Sequence, residues 1–211
     1  MARLGSAVLA MVVCATFSGC SLIGFGGGGG YKPAEVYENQ FGGDLSAAKV
    51  GQSVTYATEP GGMKTTVKVV GKEGDAFMVE SWMEGAANYG LLLKVSGKKI
   101  TEAYAAAKDD KEWTKITVKE AMKAQGGDAP KPEIKESDEK KDVKAGSFSS
   151  HRMDIKGSNY SSTMWYSKDV PKLHIASEHG GLVCMESSGS KTCLEAKADD
   201  AKPSAIEMPK K

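Results

Sequence analysis

"MKTTVKVVG", residues 63–71, decides the fold class. In an extended chain Met63, Thr65, Val67 and Val69 share one face, while Lys64, Thr66 and Lys68 share the other. This two-residue period belongs to a half-buried antiparallel strand, with one face in a core and one in water. "GQSVTYAT" alternates Val54 and Tyr56 with Ser53 and Thr55 in the same way, and "DAFMVESWME", "YGLLLKVSG" and "KKITEAYAAA" continue it. Short strands joined by Gly-, Lys- and acid-rich turns, without long helices between them, predict a mainly β fold. The expected architecture is an antiparallel meander forming a curved sheet or open half-barrel. One or two short helices are expected beside it, the first at "PAEVYENQF", where Pro33 suits a first helical turn.

Further along, residues 124–142, "AQGGDAPKPEIKESDEKKD", interrupt the pattern with prolines, glycines and dense mixed charge. This stretch is expected to be a solvated, flexible connector within a single β domain spanning residues 31–198. Strands resume at "VKAGSFSSHRMDIKG" and "NYSSTMWYSKDVP", and residues 199–211 are expected to be a disordered tail.

Toward the amino end, a short head with one positive charge, Arg3, precedes the apolar run "AVLAMVVCATF" and then Ser18, Gly19 and Cys20. That is the pattern of an export signal over residues 1–19, too short to span a membrane. Phe17-Ser18-Gly19-Cys20 resembles the lipobox of bacterial lipoproteins, with Phe17 where Leu or Val is usual. The resemblance implies that Cys20 becomes the first residue and carries lipid, anchoring the chain to the cell envelope, with Ser21 pointing to the outer membrane. Residues 20–30, with the glycine tract 26–30, then act as a tether. Losing Arg3 leaves 27 basic against 27 acidic side chains, from 28 and 27 in the whole sequence. A neutral chain has no global field to attract nucleic acid.

Of four cysteines, Cys14 leaves with the signal and Cys20 is lipidated, so Cys184 and Cys193 remain. In "GLVCMESSGSKTCLEA" a turn at residues 187–190 pairs Glu186 with Lys191, Met185 with Thr192 and Cys184 with Cys193. An exported protein sits in an oxidising compartment, so the facing cysteines are expected to form a disulfide. Alternation places this bond on the outer face of the hairpin, opposite Val183, Met185 and Leu194.

No motif for catalysis, phosphate binding or a dinucleotide stands in the sequence, and no cofactor is implied. His151, His174 and His179 lack the close ligand spacing of a zinc site, and the disulfide claims both thiols. Ser150 and His151 are neighbours on a strand and point to opposite faces, a poor arrangement for a nucleophile and its base. The expectation is a protein without enzymatic activity. Tyr56, Phe77 and Trp165 lie among aromatic residues spread over the strands. They form either a filled sheet core or the wall of an apolar groove facing a ligand.

Val143, Ala145, Gly146, Phe148, Trp165, Ser167, Val170 and Pro171 follow a V-x-A-G-x-F, strand, W-x-S-x-x-V-P pattern. The chain is thereby similar, over about residues 48–195, to a bacterial envelope family of half-barrel domains with no assigned activity. Similar half-barrels occur in the periplasmic lipoprotein carrier and the outer-membrane lipoprotein receptor, whose concave faces hold acyl chains. The resemblance implies a membrane-anchored envelope module that binds an apolar, lipid-like ligand or a protein partner. The alternative is a structural or surface-interaction lipoprotein with no small-molecule ligand.

Overall fold

Strand β3 (Met63–Glu73) buries Val67 and Val69 and exposes Lys64, as its alternation requires. The computed structural model describes residues 32–85, 87–122 and 131–209; Cys20, the tether and residues 124–130 lie outside them. β2 (Ser53–Glu59), β3, β4 (Ala76–Glu84), β5 (Tyr89–Ser96), β6 (Lys99–Ala107) and β7 (Thr114–Lys119) each pair antiparallel with the next. A second antiparallel run comprises β8 (Glu133–Val143), β9 (Gly146–Lys156), β10 (Ser161–Ser167), β12 (Gly180–Ser187) and β13 (Ser190–Ala198). The two-residue β11 (Ala176–Ser177) adds to β12.

The runs are joined where β13 pairs with β2, with Leu194 opposite Tyr56 and Cys193 opposite Ala57. β1 (Glu35–Tyr37) ends one side of the sheet beside β7, and β8 ends the other, so the curved sheet stays open.

One core cluster unites both halves. Val54, Tyr56, Val69, Val79 and Val95 of the first half and Leu182, Val183 and Leu194 of the second are all fully buried. The Tyr56 hydroxyl donates to the Leu182 carbonyl at 2.8 Å, satisfying the polar atom in this core. Leu92 alternates with Leu93 along β5, so the two point to opposite faces. Leu92 joins Tyr104, Ala106 and Trp113 in a second, smaller cluster.

Three expectations are corrected. Among the described residues there is no helix, and "PAEVYENQF" contains β1 instead. Val36, 3% exposed, gains more by joining the core, and Ile100 N–H and Thr117 N–H find carbonyls at Glu38 and Ala34. Residues 133–142 of the expected connector are strand, paired with β9 over the whole length of β8. An edge strand tolerates dense charge because its side chains stay solvated and its alternating signs find partners, as Lys141 finds Glu186 at 3.4 Å. Residues 199–209 are likewise packed against the sheet, not free: Ala201 N–H donates to the Gly51 carbonyl, and Ser204 and Glu207 are also tied down.

The cysteine hairpin has the expected register, with Cys184 opposite Cys193 and Glu186 opposite Lys191, and the disulfide is formed. Its surroundings differ from expectation. Cys184 is fully buried because the tip of the β8–β9 hairpin reaches over to β13, where Ala145 N–H meets the Leu194 carbonyl and Lys144 pairs with Glu195. Nearby, Gly180 has φ +129°, and a Cβ there would sit 1.9 Å from the Ser167 carbonyl oxygen, so glycine alone fits the entry to β12.

Replacing both Cys184 and Cys193 by Ala removes the cross-link while keeping small side chains. It should lower stability by about 2–3 kcal/mol, as for a loop of roughly ten residues, and leave one cooperative transition in urea. His174 supplies a second test. Its ring lies 5.2 Å from that of Tyr56, and burial pushes its pKa down to about 4 from 6.5. Folding therefore favours neutral His174, and its contribution is complete above pH 6.5 and lost as pH falls toward 4. Urea midpoints should fall over that window, corresponding to about 2–3 kcal/mol, and His174→Gln should flatten the slope.

Candidate functional site

The outer face of the first half holds a charge in an unusual place. Glu80 stands on β4 between Met78 and Trp82 on the face opposite Val79, and is 1% exposed. A buried carboxylate is tolerable only when ionic and hydrogen-bond partners replace its water. Glu80 has four such contacts. Lys68, opposite it on β3, places Nζ 2.9 Å from Oε2, and the Trp82 indole N–H donates to Oε1 at 3.3 Å. The backbone N–H of Ser204 donates to both oxygens at 3.0 and 3.2 Å.

Ser204 belongs to the carboxyl-terminal segment, so this carboxylate fastens that segment to the sheet. Lys68 also donates to the Lys202 carbonyl at 3.0 Å. Two residues beyond Ser204, Ile206 packs on the second cluster, and Glu207 then forms a parallel bridge with Glu112. That bridge consists of Glu207 N–H donating to the Lys111 carbonyl and Trp113 N–H donating to the Glu207 carbonyl, both at 2.9 Å.

The floor is aromatic and rigid. Trp82 lies over Gly90, where a Cβ would come within 2.7 Å of the indole, and its ring is tilted 50° against Trp113 at 5.8 Å. Beside it, the Tyr104 hydroxyl donates to Glu102 at 3.0 Å, and this bond, helped by Lys94, holds the Glu102 carboxyl below its usual range. Between the segment and the β6–β7 turn a cleft of about 650 Å³ remains open, lined by Trp82, Lys108, Asp110, Lys111, Glu112 and residues 204–207. Lys32 and the Ala107 N–H hold Asp110 in place and lower its pKa.

The residues expected to face a ligand do not share this site. Tyr56 is a core residue with no exposed surface, and Phe77 packs against the same core under the Lys72 ammonium, 4.8 Å above its ring. Trp165, 4% exposed, is covered by Lys141 at 3.3 Å on one ring face and donates its N–H to Glu139. That bond is the main reason the Glu139 carboxyl is held low. The three positions line no common groove: of the two alternatives the sequence left open, they take that of a filled core, not that of a ligand-facing wall. Cys184 and Cys193 are brought together as expected. His151 and His179 stack at 3.6 Å, and the Asp138 carboxylate accepts a hydrogen bond from His151 Nδ1–H at 2.9 Å.

Glu80, Trp82, Trp113 and Ile206 were not singled out from sequence. The signal was present in Met78, Glu80 and Trp82, which put large side chains on the face of the strand opposite Phe77 and Val79, and in the unbroken run Leu91, Leu92, Leu93. A strand apolar on both faces is covered on both faces.

No family model matches this chain, and no curated protein matches it in sequence. Among solved structures, a crystal structure of a Bacteroides fragilis NCTC 9343 protein, described as exported and as having a YmcC-like fold, superposes with a TM-score of 0.34. Sequence identity is 12%, and the alignment covers 74% of this chain and 98% of that one. A likeness this loose transfers no function.

Glu80→Ala leaves Lys68 half-covered without its counter-charge and unfastens Ser204. Stability should fall by about 3–5 kcal/mol, as for other broken buried pairs, in urea titrations. Limited proteolysis should then cut residues 199–209 first, whereas uniform cleavage across the sheet would contradict the fastening role.

Proposed function

We propose that this chain is a membrane-anchored envelope lipoprotein whose β domain is a non-enzymatic module for protein interaction, working through its outer surface. The observation that carries this reading is the filled interior. Val54, Tyr56, Val69, Val79, Val95, Leu182 and Leu194 are themselves fully buried and fill the centre of the face where an acyl chain would lie. A carrier of the half-barrel type needs that face open, so the lipid-like ligand gives way to a protein partner as the favoured class. The described surface supports contact at a polar face: its exposed large apolar side chains are Val50, Met122 and Met208, scattered singly.

Anchoring through Cys20, by the lipobox resemblance, sets the place of action, with the outer membrane as the favoured site and the glycine tract as spacer. Two measurements test the reading together. Acyl labelling and membrane fractionation should show the wild type lipidated and membrane-bound, and Cys20→Ala unlabelled and soluble. Native mass spectrometry of the detergent-purified protein should give the chain plus its covalent lipid alone. A copurifying, non-covalent lipid present in repeated preparations would overturn the assignment to protein interaction.

A further inference from the structure

The outer face of β4–β7 already holds an extended peptide, and that peptide is the protein's own carboxyl-terminal segment. We infer that this face is a docking groove for an extended segment of a partner protein, and that residues 201–208 are its built-in, displaceable occupant. The inference rests on the interaction reading above and names the surface and the partner's chemistry.

The groove recognises the segment in three ways that any extended chain with the right spacing reproduces. A free backbone N–H reaches the Glu80 carboxylate, as Ser204 does at 3.0 Å. Two residues later an apolar side chain sits on the cluster of Trp82, Tyr104 and Trp113, the place of Ile206. One residue further the backbone pairs in parallel with Lys111 and Trp113. Main-chain pairing for affinity and an apolar pocket for specificity is the usual division of labour in strand addition.

Several features mark the resident segment as a replaceable occupant. Its pairing with the sheet is a single bridge, and Pro203 and Pro209 prevent it from lengthening into a ladder. Ser204 Oγ is buried and finds no partner among the described residues. The segment also leaves about 650 Å³ of the cleft unfilled, bordered by Lys108, Lys111, Asp110 and Glu112. A partner segment with larger polar side chains at those positions gains contacts that the resident one lacks. That gain is needed, because a tethered occupant competes at an effective concentration on the order of millimolar.

The test uses the full-length lipidated chain in detergent and a fluorescent peptide copying residues 200–211, DAKPSAIEMPKK. Ile206→Asp in the chain weakens the resident segment, so this variant should bind the wild-type peptide at least tenfold more tightly than the wild-type chain does. An Ile206→Asp peptide should bind neither. Equal or absent binding by both chains, with circular dichroism showing the variant folded, would overturn the groove. In the wild-type chain, hydrogen exchange at the Ser204 and Glu207 amides should be faster than at Leu92 and Tyr104. Equal protection would make the segment an integral part of the sheet and overturn displacement, whether or not the variant folds. A copurifying lipid would sink the interaction reading yet leave peptide binding intact, and failed peptide binding would leave the envelope reading standing.

Discussion

The pairing of β13 with β2 is the contact on which the rest of the structure depends. It joins the last strand of the second run to the first strand of the opening run, so two meanders become one sheet. The seam also sets the core, because Leu194 opposite Tyr56 places both fully buried side chains where the halves meet. Tyr56 then crosses the seam with its hydroxyl bond to Leu182, a contact between residues 126 apart in sequence. Long-range closure of this kind is entropically expensive and must be offset by burial, which the valine-rich inner face supplies.

Covering of the outer face divides along the same seam. On the second half, the β8–β9 hairpin bends over the disulfide, with Lys141 of β8 resting on Trp165 and Lys144 reaching Glu195. On the first half the carboxyl-terminal segment performs the same task, with Ile206 laid on the tryptophan cluster. Each cover carries many charges; the β8–β9 hairpin is fastened by ion pairs and a backbone bond, and the carboxyl-terminal segment by hydrogen bonds from Ser204 to Glu80 and from Lys68 to the Lys202 carbonyl, whereas the inner face is fastened by close-packed valines. The two faces therefore differ in kind: one is an interior, and the other is a surface whose covers are held by polar contacts that water can replace.

What could be read from the sequence followed the range of the interactions involved. The cysteine register was legible because a tight turn at residues 187–190 determines it locally. The strands of the first run were legible because their alternation is strict, as in Val67 and Val69 against Lys64. β8 was not, since its charge density is that of a solvated linker, and its strand form comes from pairing with β9 and with residues such as Glu186. The same holds for residues 199–209: nothing within them encodes order, which comes from Glu80, more than a hundred positions earlier. Tyr56 and Trp165 were visible as aromatic residues, but the sheet's curvature and its covers decided that they are buried.

Glu80 shows why an outer cover is fastened by a charge. An apolar residue there would extend the tryptophan cluster and attract any apolar surface without orientation. A carboxylate held by Lys68 and Trp82 accepts only a donor presented at one point, so the backbone N–H of Ser204 fixes the register of everything after it. Ile206 and Glu207 then fall into place at fixed offsets. The cost is a buried ion that must never lose its partners together, and Lys68 and the Trp82 indole guarantee this by belonging to the sheet itself. The sheet can thus release the segment without stranding the charge, which a fastening made wholly by the segment could not allow.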